Sequence, residues 1–208
     1  MDPLFANWLI LLGVFGVAVA SPGPDFVMAV RNSVLYSRRA GIMTAIGFAF
    51  GVAIHVAYCL GGIALLISKS ILLFSIVKYI GAAYLFYVGF KAIKSKGMDK
   101  AEIDGPKLKM TDLQALRSGF ITNLFNPKAT MFFLALFTQI VAPETPLLIQ
   151  SLYGATCIVL TGIWFSMVAV VLTTPAIRQR FLRFSEWIDR ACGVLFIALG
   201  VKLVLTKI

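Results

Sequence analysis

Residues 42–67 read IMTAIGFAFGVAIHVAYCLGGIALLI, with no Asp, Glu, Lys or Arg among them. A helix needs ~20 apolar residues to cross the hydrocarbon of a bilayer, so this run is long enough to span, as is the uncharged run at 145–177. The rest of the chain is of the same kind. Of its 208 residues, 60% are hydrophobic and only 13% charged, and its mean hydropathy is +0.91, whereas a soluble domain carries roughly 25% charged residues. That balance excludes an ordinary water-soluble fold and predicts an all-α integral membrane protein.

Six spans are predicted, at 4–35, 40–68, 71–92, 119–141, 147–174 and 186–207. In the last, only 191–201 is free of charge, so Lys202 is expected to snorkel to an interface. Ala18-Val19-Ala20 resembles a signal-peptidase site, but Met1-Asp2-Pro3 supplies no positive n-region, and the segment reads as uncleaved helix.

The formal charge of +10 would suggest a nucleic-acid partner in a soluble protein. Here the basic residues cluster between apolar spans, none in a basic-aromatic binding stretch, so no nucleic acid is expected. Arg31, Arg38 and Arg39 follow span one; Lys91, Lys94, Lys96, Lys100, Lys107, Lys109 and Arg117 follow span three; Arg178, Arg180, Arg183 and Arg190 follow span five. The positive-inside rule puts these alternate loops in the cytoplasm and both termini on the far side, in a multi-pass protein of the bacterial inner (cytoplasmic) membrane.

The longest polar stretch, 94–112, contains Gly97, Gly105 and Pro106 among mixed charges, which is linker composition. It predicts a first three-helix repeat at 1–93, a cytoplasmic linker at 94–117 and a second three-helix repeat at 118–208. Tyr84-Leu85-Phe86-Tyr87-Val88-Gly89-Phe90-Lys91 is echoed by Leu195-Phe196-Ile197-Ala198-Leu199-Gly200-Val201-Lys202. Three is odd, so repeated halves must be inverted in the membrane, an arrangement common among secondary transporters.

Chemistry concentrates at two proline breaks. Ser21-Pro22-Gly23-Pro24-Asp25 interrupts span one: two prolines remove two backbone donors, and the freed carbonyls need partners or a wet cavity. Either this is a kink with Ser21 capping the next helix, or it is a discontinuous helix at a substrate site. In span four, Asn126-Pro127-Lys128 has the form of an N-cap, a proline at the first helical position and a charge just inside. Asp25 and Lys128 thus occupy equivalent places. An inverted repeat would bring both breaks to the midplane, where a carboxylate for an ammonium and a lysine or helix N-terminus for a carboxylate suit a zwitterion. A permanent Asp25–Lys128 ion pair joining the halves is the structural alternative. The predicted substrate-binding set is Asp25 and Lys128 with Pro22, Gly23, Pro24, Asn126 and Pro127.

His55, the only histidine, lies near the centre of span two. It can titrate near neutrality and is a candidate for proton coupling beside Asp25, although one histidine makes neither a relay nor a metal site, and a satisfied buried ring is the plainer reading. Gly47 and Gly51 permit close approach of a neighbouring helix. Cys59, Cys157 and Cys192 stand singly in apolar segments and read as packing residues. No nucleotide-binding loop, zinc motif or nucleophile elbow occurs, so no metal, cofactor or hydrolytic activity is expected, and an ion gradient is the available energy source.

With these residues assembled, the chain resembles the LysE/RhtB family of amino-acid exporters. The resemblance rests on Pro22-Gly23-Pro24-Asp25, Ser37-Arg38-Arg39-Ala40-Gly41-Ile42, Gly47 with Gly51, Tyr84-Leu85 with Gly89, and Asn126-Pro127-Lys128-Ala129 before Phe132-Phe133, in family order over nearly the whole chain. It implies six helices, export from the cytoplasm and coupling to the proton gradient. Two departures stand out: the family's first motif often ends in Asn rather than Asp25, and its fourth helix often continues to Pro-Gln-Phe where this chain has Thr138-Gln139-Ile140. The expected function is secondary export of an amino acid or similar small zwitterion. Export of another small polar solute or cation, and a non-transporting membrane subunit, are the alternatives. An intramembrane enzyme lacks a catalytic constellation. The sequence leaves open a homo-oligomer and the identity of the amino acid.

Overall fold

The structure is a computed structural model and describes residues 3–69, 71–96, 109–140 and 145–205. The described residues form eight α-helices and no strand: α1 Pro3–Ala20, α2 Pro24–Leu35, α3 Arg38–Lys69, α4 Ile71–Ile93, α5 Asp112–Leu124, α6 Pro127–Ile140, α7 Leu147–Val171 and α8 Pro175–Leu205. By length and composition, Arg38–Gly61 and Leu147–Val171 can each cross a membrane, and Leu4–Ala20 with Pro24–Leu35, bent by 57° at the break, pass the same test together as one broken span or a re-entrant pair. The chain is an all-helical membrane protein.

Both proline motifs break their helices. Pro24 opens α2 and Pro127 opens α6, each at the first helical position, where the missing N–H would be unbonded anyway. Asn126 accepts from the backbone N–H of Lys128 at 3.0 Å, the predicted N-cap.

Two boundaries differ from the sequence reading because apolarity marks the bilayer, not the helix. α5 begins at Asp112, inside the stretch read as linker, with a capping box in which Gln114 N–H donates to Thr111 Oγ1 and Thr111 N–H to Gln114 Oε1. Residues 97–108 of that stretch lie outside the described residues. α8 begins at Pro175, well before the apolar segment, since no Gly or Pro interrupts 176–192 and Arg, Glu and Leu are good helix formers. The uncharged run at 145–177 accordingly divides at a turn between α7 and α8.

α3 lies against α5 and α7, and α4 against α8. Gly47 and Gly51 do admit a neighbour: a Cβ on Gly47 would stand 2.7 Å from Phe120 N, and one on Gly51 2.9 Å from Asn123 Cβ. Asn32 Nδ2 donates to Thr44 Oγ1 at 2.9 Å, tying α2 to α3, and Trp8 Nε1 donates to Thr156 Oγ1 at 3.2 Å, tying α1 to α7. The three cysteines are buried and unbridged.

The α4–α8 contact is reciprocal. A Cβ on Gly89 would meet Ile197 Cγ1 at 2.7 Å, while one on Gly200 would meet Phe86 Cε1 at 3.1 Å. Aligning the two echoed octapeptides pairs Gly89 with Gly200 and Phe86 with Ile197, so each glycine receives the other segment's equivalent side chain.

One buried cluster joins Phe15, Leu85, Phe132, Phe133, Phe137, Cys157 and Phe196, and a second joins Phe26, Val30, Phe48, Phe165 and Val168. The outer surface is apolar as well: Ile163 is 61% and Val194 62% exposed, as expected where lipid is the solvent.

Candidate functional site

The two breaks meet. Ser21, Gly23, Asp25, Asn123, Asn126 and Lys128 line one cavity of about 60 Å³, closed elsewhere by Phe15, Phe26, Phe133, Phe165 and Phe196. Space of that size holds a few waters.

Lys128, on the first turn of α6, reaches across to the first break. Its Nζ donates to Ser21 Oγ at 2.6 Å and Pro22 O at 3.3 Å, and stands 5.3 Å from the centroid of Phe196. The freed carbonyls of the first break thus find their partner in a cation from the second. Ser21, read as a possible cap for α2, does not cap it: α2 starts after Gly23 with no side-chain cap, and the hydroxyl serves Lys128 instead. The φ of −177° at Gly23 is extended backbone open to any residue. What matters there is proximity, since a Cβ would stand 3.4 Å from Lys128 Nζ.

Asp25 reaches the other way. Asn123 Nδ2, from the last turn of α5, donates to Asp25 Oδ2 at 2.8 Å, and Asn126 lies near the same carboxylate. Among the described residues, neither Asp25 Oδ1 nor Asn123 Oδ1, both buried, has a hydrogen-bond partner. Among the described residues the ion pairs are Arg39–Asp112 and Arg190–Glu186. Asp25 and Lys128 therefore share a cavity without being bonded to one another, each held by a neutral residue of the opposite break.

His55 is buried, and both its ring nitrogens are engaged. Nε2 meets Asn123 O at 3.1 Å and Nδ1 meets Tyr58 OH at 2.8 Å. A carbonyl only accepts, so Nε2 carries the proton, and in the neutral ring Nδ1 is the acceptor facing Tyr58 OH, whose single proton is shared between it and Thr130 O at 3.4 Å. His55 touches the backbone of Asn123, whose side chain touches Asp25, and is one residue removed from the acid. Pro22, Pro24 and Pro127 line a second cavity, which shares Gly23, Asn126 and Lys128 with the first.

Three residues escaped the sequence reading. Asn123 stands three residues before the Asn126 cap but carries no charge to draw notice. Ser21 was weighed only as a cap. Asp189 was placed at the edge of span six, although an acid inside a helix of 31 residues carried the same signal as Asp25. It is nine-tenths buried and accepts from Ser95 Oγ at 2.5 Å.

Comparison with known proteins finds relatives along nearly the whole chain. The threonine efflux protein of Escherichia coli K12 is 30% identical over 194 residues, covering 92% of this chain and 94% of that protein. The homoserine/homoserine lactone efflux protein of Salmonella typhimurium is 29% identical over 202 residues, covering 96% of each. An uncharacterized membrane protein of E. coli K12, YahN, is 27% identical over 204 residues, covering 98% of this chain and 91% of that protein. No solved structure matches. The family model described as LysE type translocator matches residues 16–207. Over nearly its whole length, from before the first proline break to the end of α8, the chain is a member of the LysE family of translocators and not an enzyme.

Proposed function

We propose that this protein exports an amino acid from the cytoplasm across the bacterial inner membrane as a proton-driven antiporter. The observation that carries this reading is the pairing of an unbonded, buried Asp25 oxygen with the Lys128 ammonium in one cavity between two broken helices. Asp25 takes the substrate ammonium. Lys128 and the N-terminus of α6 behind Asn126 and Pro127 take its carboxylate. The Pro22-Gly23-Pro24 break supplies the close backbone approach. Relatives that are efflux proteins for threonine and for homoserine support the substrate class.

In this reading residues 1–93 and 118–208 are inverted three-helix repeats joined by a cytoplasmic linker at 94–117, and transport alternates access by rocking one repeat on the other. The matching places of Pro24-Asp25 and Pro127-Lys128, and the reciprocal Gly89–Ile197 and Gly200–Phe86 contacts, support it. Protonation of Asp25 would release the ammonium on the far side and couple export to proton entry.

The test is efflux of radiolabelled threonine and homoserine from proteoliposomes containing only this protein, with and without an imposed pH gradient. Gradient-stimulated efflux of either is expected. Efflux that ignores the gradient would refute the coupling, and no efflux of any amino acid would refute the function.

A further inference from the structure

Lys128, with Gly23 and Asn126, lines two cavities. The second, of about 240 Å³, lies between the first break, the end of α4 and the middle of α8, lined by Tyr84, Tyr87, Lys91, Ser95, Lys128 and Asp189. Asp189 is 6% exposed and, among the described residues, accepts its hydrogen bond from Ser95. Lys128 is the cation whose field reaches it, but no ion pair among the described residues includes Asp189. A carboxylate so enclosed is costly unless something positive meets it. Lys91 is exposed at the same cavity, and Tyr84 and Tyr87 present rings with centroids 6.0 Å apart. One buried anion, one accessible cation and two π faces in a space four times that of the inner cavity fit an α-amino acid: its ammonium to Asp189 and the rings, its carboxylate to Lys91.

We propose that this cavity is a second amino-acid site, an outer docking position filled before the site at Asp25, with the Lys128 side chain lining both. The inference rests on the export reading, under which the end of α4 faces the cytoplasm and the cavity faces the loading side. To move inward, the substrate carboxylate replaces Ser21 Oγ as the partner of Lys128 Nζ. The bond that holds the two breaks together is then the one that admission of substrate opens.

The test uses the full chain and threonine as probe. Asp189→Asn keeps an acceptor for Ser95 but removes the charge, and Lys91→Gln alters an exposed residue. Equilibrium binding of radiolabelled threonine in detergent should give two equivalents per wild-type chain and one for Asp189→Asn. In proteoliposomes Asp189→Asn should raise KM about tenfold or more, as expected for losing a charged hydrogen bond, with kcat within about twofold; Lys91→Gln should raise KM severalfold. One equivalent bound by an efflux-competent wild type overturns the outer site and leaves the export reading intact. A fall in kcat at unchanged KM for Asp189→Asn, or an unchanged KM for Lys91→Gln, also overturns it. Neither binding nor efflux of threonine or any other amino acid by the wild type overturns both.

Discussion

Lys128 Nζ donates to Ser21 Oγ at 2.6 Å, so a cation from the second broken helix closes the first. The exchange is mutual, since Asp25 of the first break is held by Asn123 of the second. Each charge is oriented but not neutralised by the other, which is what a site for an incoming zwitterion requires and a structural ion pair would prevent.

The hydroxyl of Ser21 is therefore expected to matter. A hydrogen bond to a charged group contributes ~1.5–3 kcal/mol, so Ser21→Ala should lower threonine efflux by about tenfold or more, while Ser21→Thr retains most of it. Initial rates from proteoliposomes at equal protein content measure this. Full activity in the alanine variant would mean that the bond has no part in transport.

His55 holds the Asn123 carbonyl and touches no substrate group. His55→Ala should cost ~1–3 kcal/mol of stability through the lost hydrogen bonds, yet slow gradient-driven efflux only severalfold, because Asn126 N–H still donates to Asn123 O at 3.0 Å. His55→Gln can restore a donor to that carbonyl and should recover part of the stability. Thermal unfolding in detergent and efflux under an imposed pH gradient report the two effects separately. Complete loss of transport by a normally folded alanine variant would make His55 the proton site.

The all-helical character, both breaks and the Asn126 cap were legible in the sequence, since proline and asparagine act locally, through a missing donor and a short side-chain acceptor. What was not legible is which side chain meets which. Ser21 has the form of a cap and becomes a lysine partner only because α6 lies across the first break, a matter of tertiary packing. Asp189 was hidden for a related reason: it lies in the charged margin of span six, just outside the charge-free stretch 191–201. Folding leaves Glu186 bonded to Arg190 outside and buries Asp189 against Ser95.

On the surface, Arg39 Nε donates to Asp112 Oδ1 at 3.0 Å and Nη2 to Oδ2 at 2.6 Å, joining the starts of α3 and α5. The hydrogen bonds from Arg39, which outweigh the opposing desolvation, hold the Asp112 carboxyl below its ordinary value of 3.8. A depressed carboxylate stabilises above its unfolded pKa and loses that contribution as pH falls through the folded one. Asp112→Asn should therefore lower thermal stability slightly at neutral pH, the pair being exposed. The difference should vanish as the pH drops below 3.8. A gap that persisted in acid would point to helix capping rather than charge.

Fourteen of the nineteen basic residues cluster around the ends of spans one, three and five, several of them within helices, which sets the expected orientation. With a cysteine-free background, Gln179→Cys near the start of α8 should be shielded from an impermeant thiol reagent in intact cells, and Leu147→Cys at the start of α7 should label. Labelling in the opposite sense would reverse the assignment and turn the outer cavity toward the periplasm.

The decisive experiment concerns Asp25 and Lys128 together. Asp25→Ala should abolish export without impairing insertion, because it removes a charge that costs ~2.5–3.5 kcal/mol within a span. Lys128→Ala should abolish export too, and should loosen the first break, since the carbonyl of Pro22 and the hydroxyl of Ser21 lose their donor. If the two residues served only to neutralise one another, removing both would relieve the lone buried charge left by either single change, and fold and activity would return together. Their separate partners, Asn123 for the acid and Ser21 for the base, argue against that outcome. The double variant is expected to be well folded and inactive, its stability close to the sum of the single effects because no direct bond couples them. Threonine efflux from proteoliposomes and thermal unfolding of all four proteins decide the matter, and recovered efflux in the double variant would remove both residues from the substrate site.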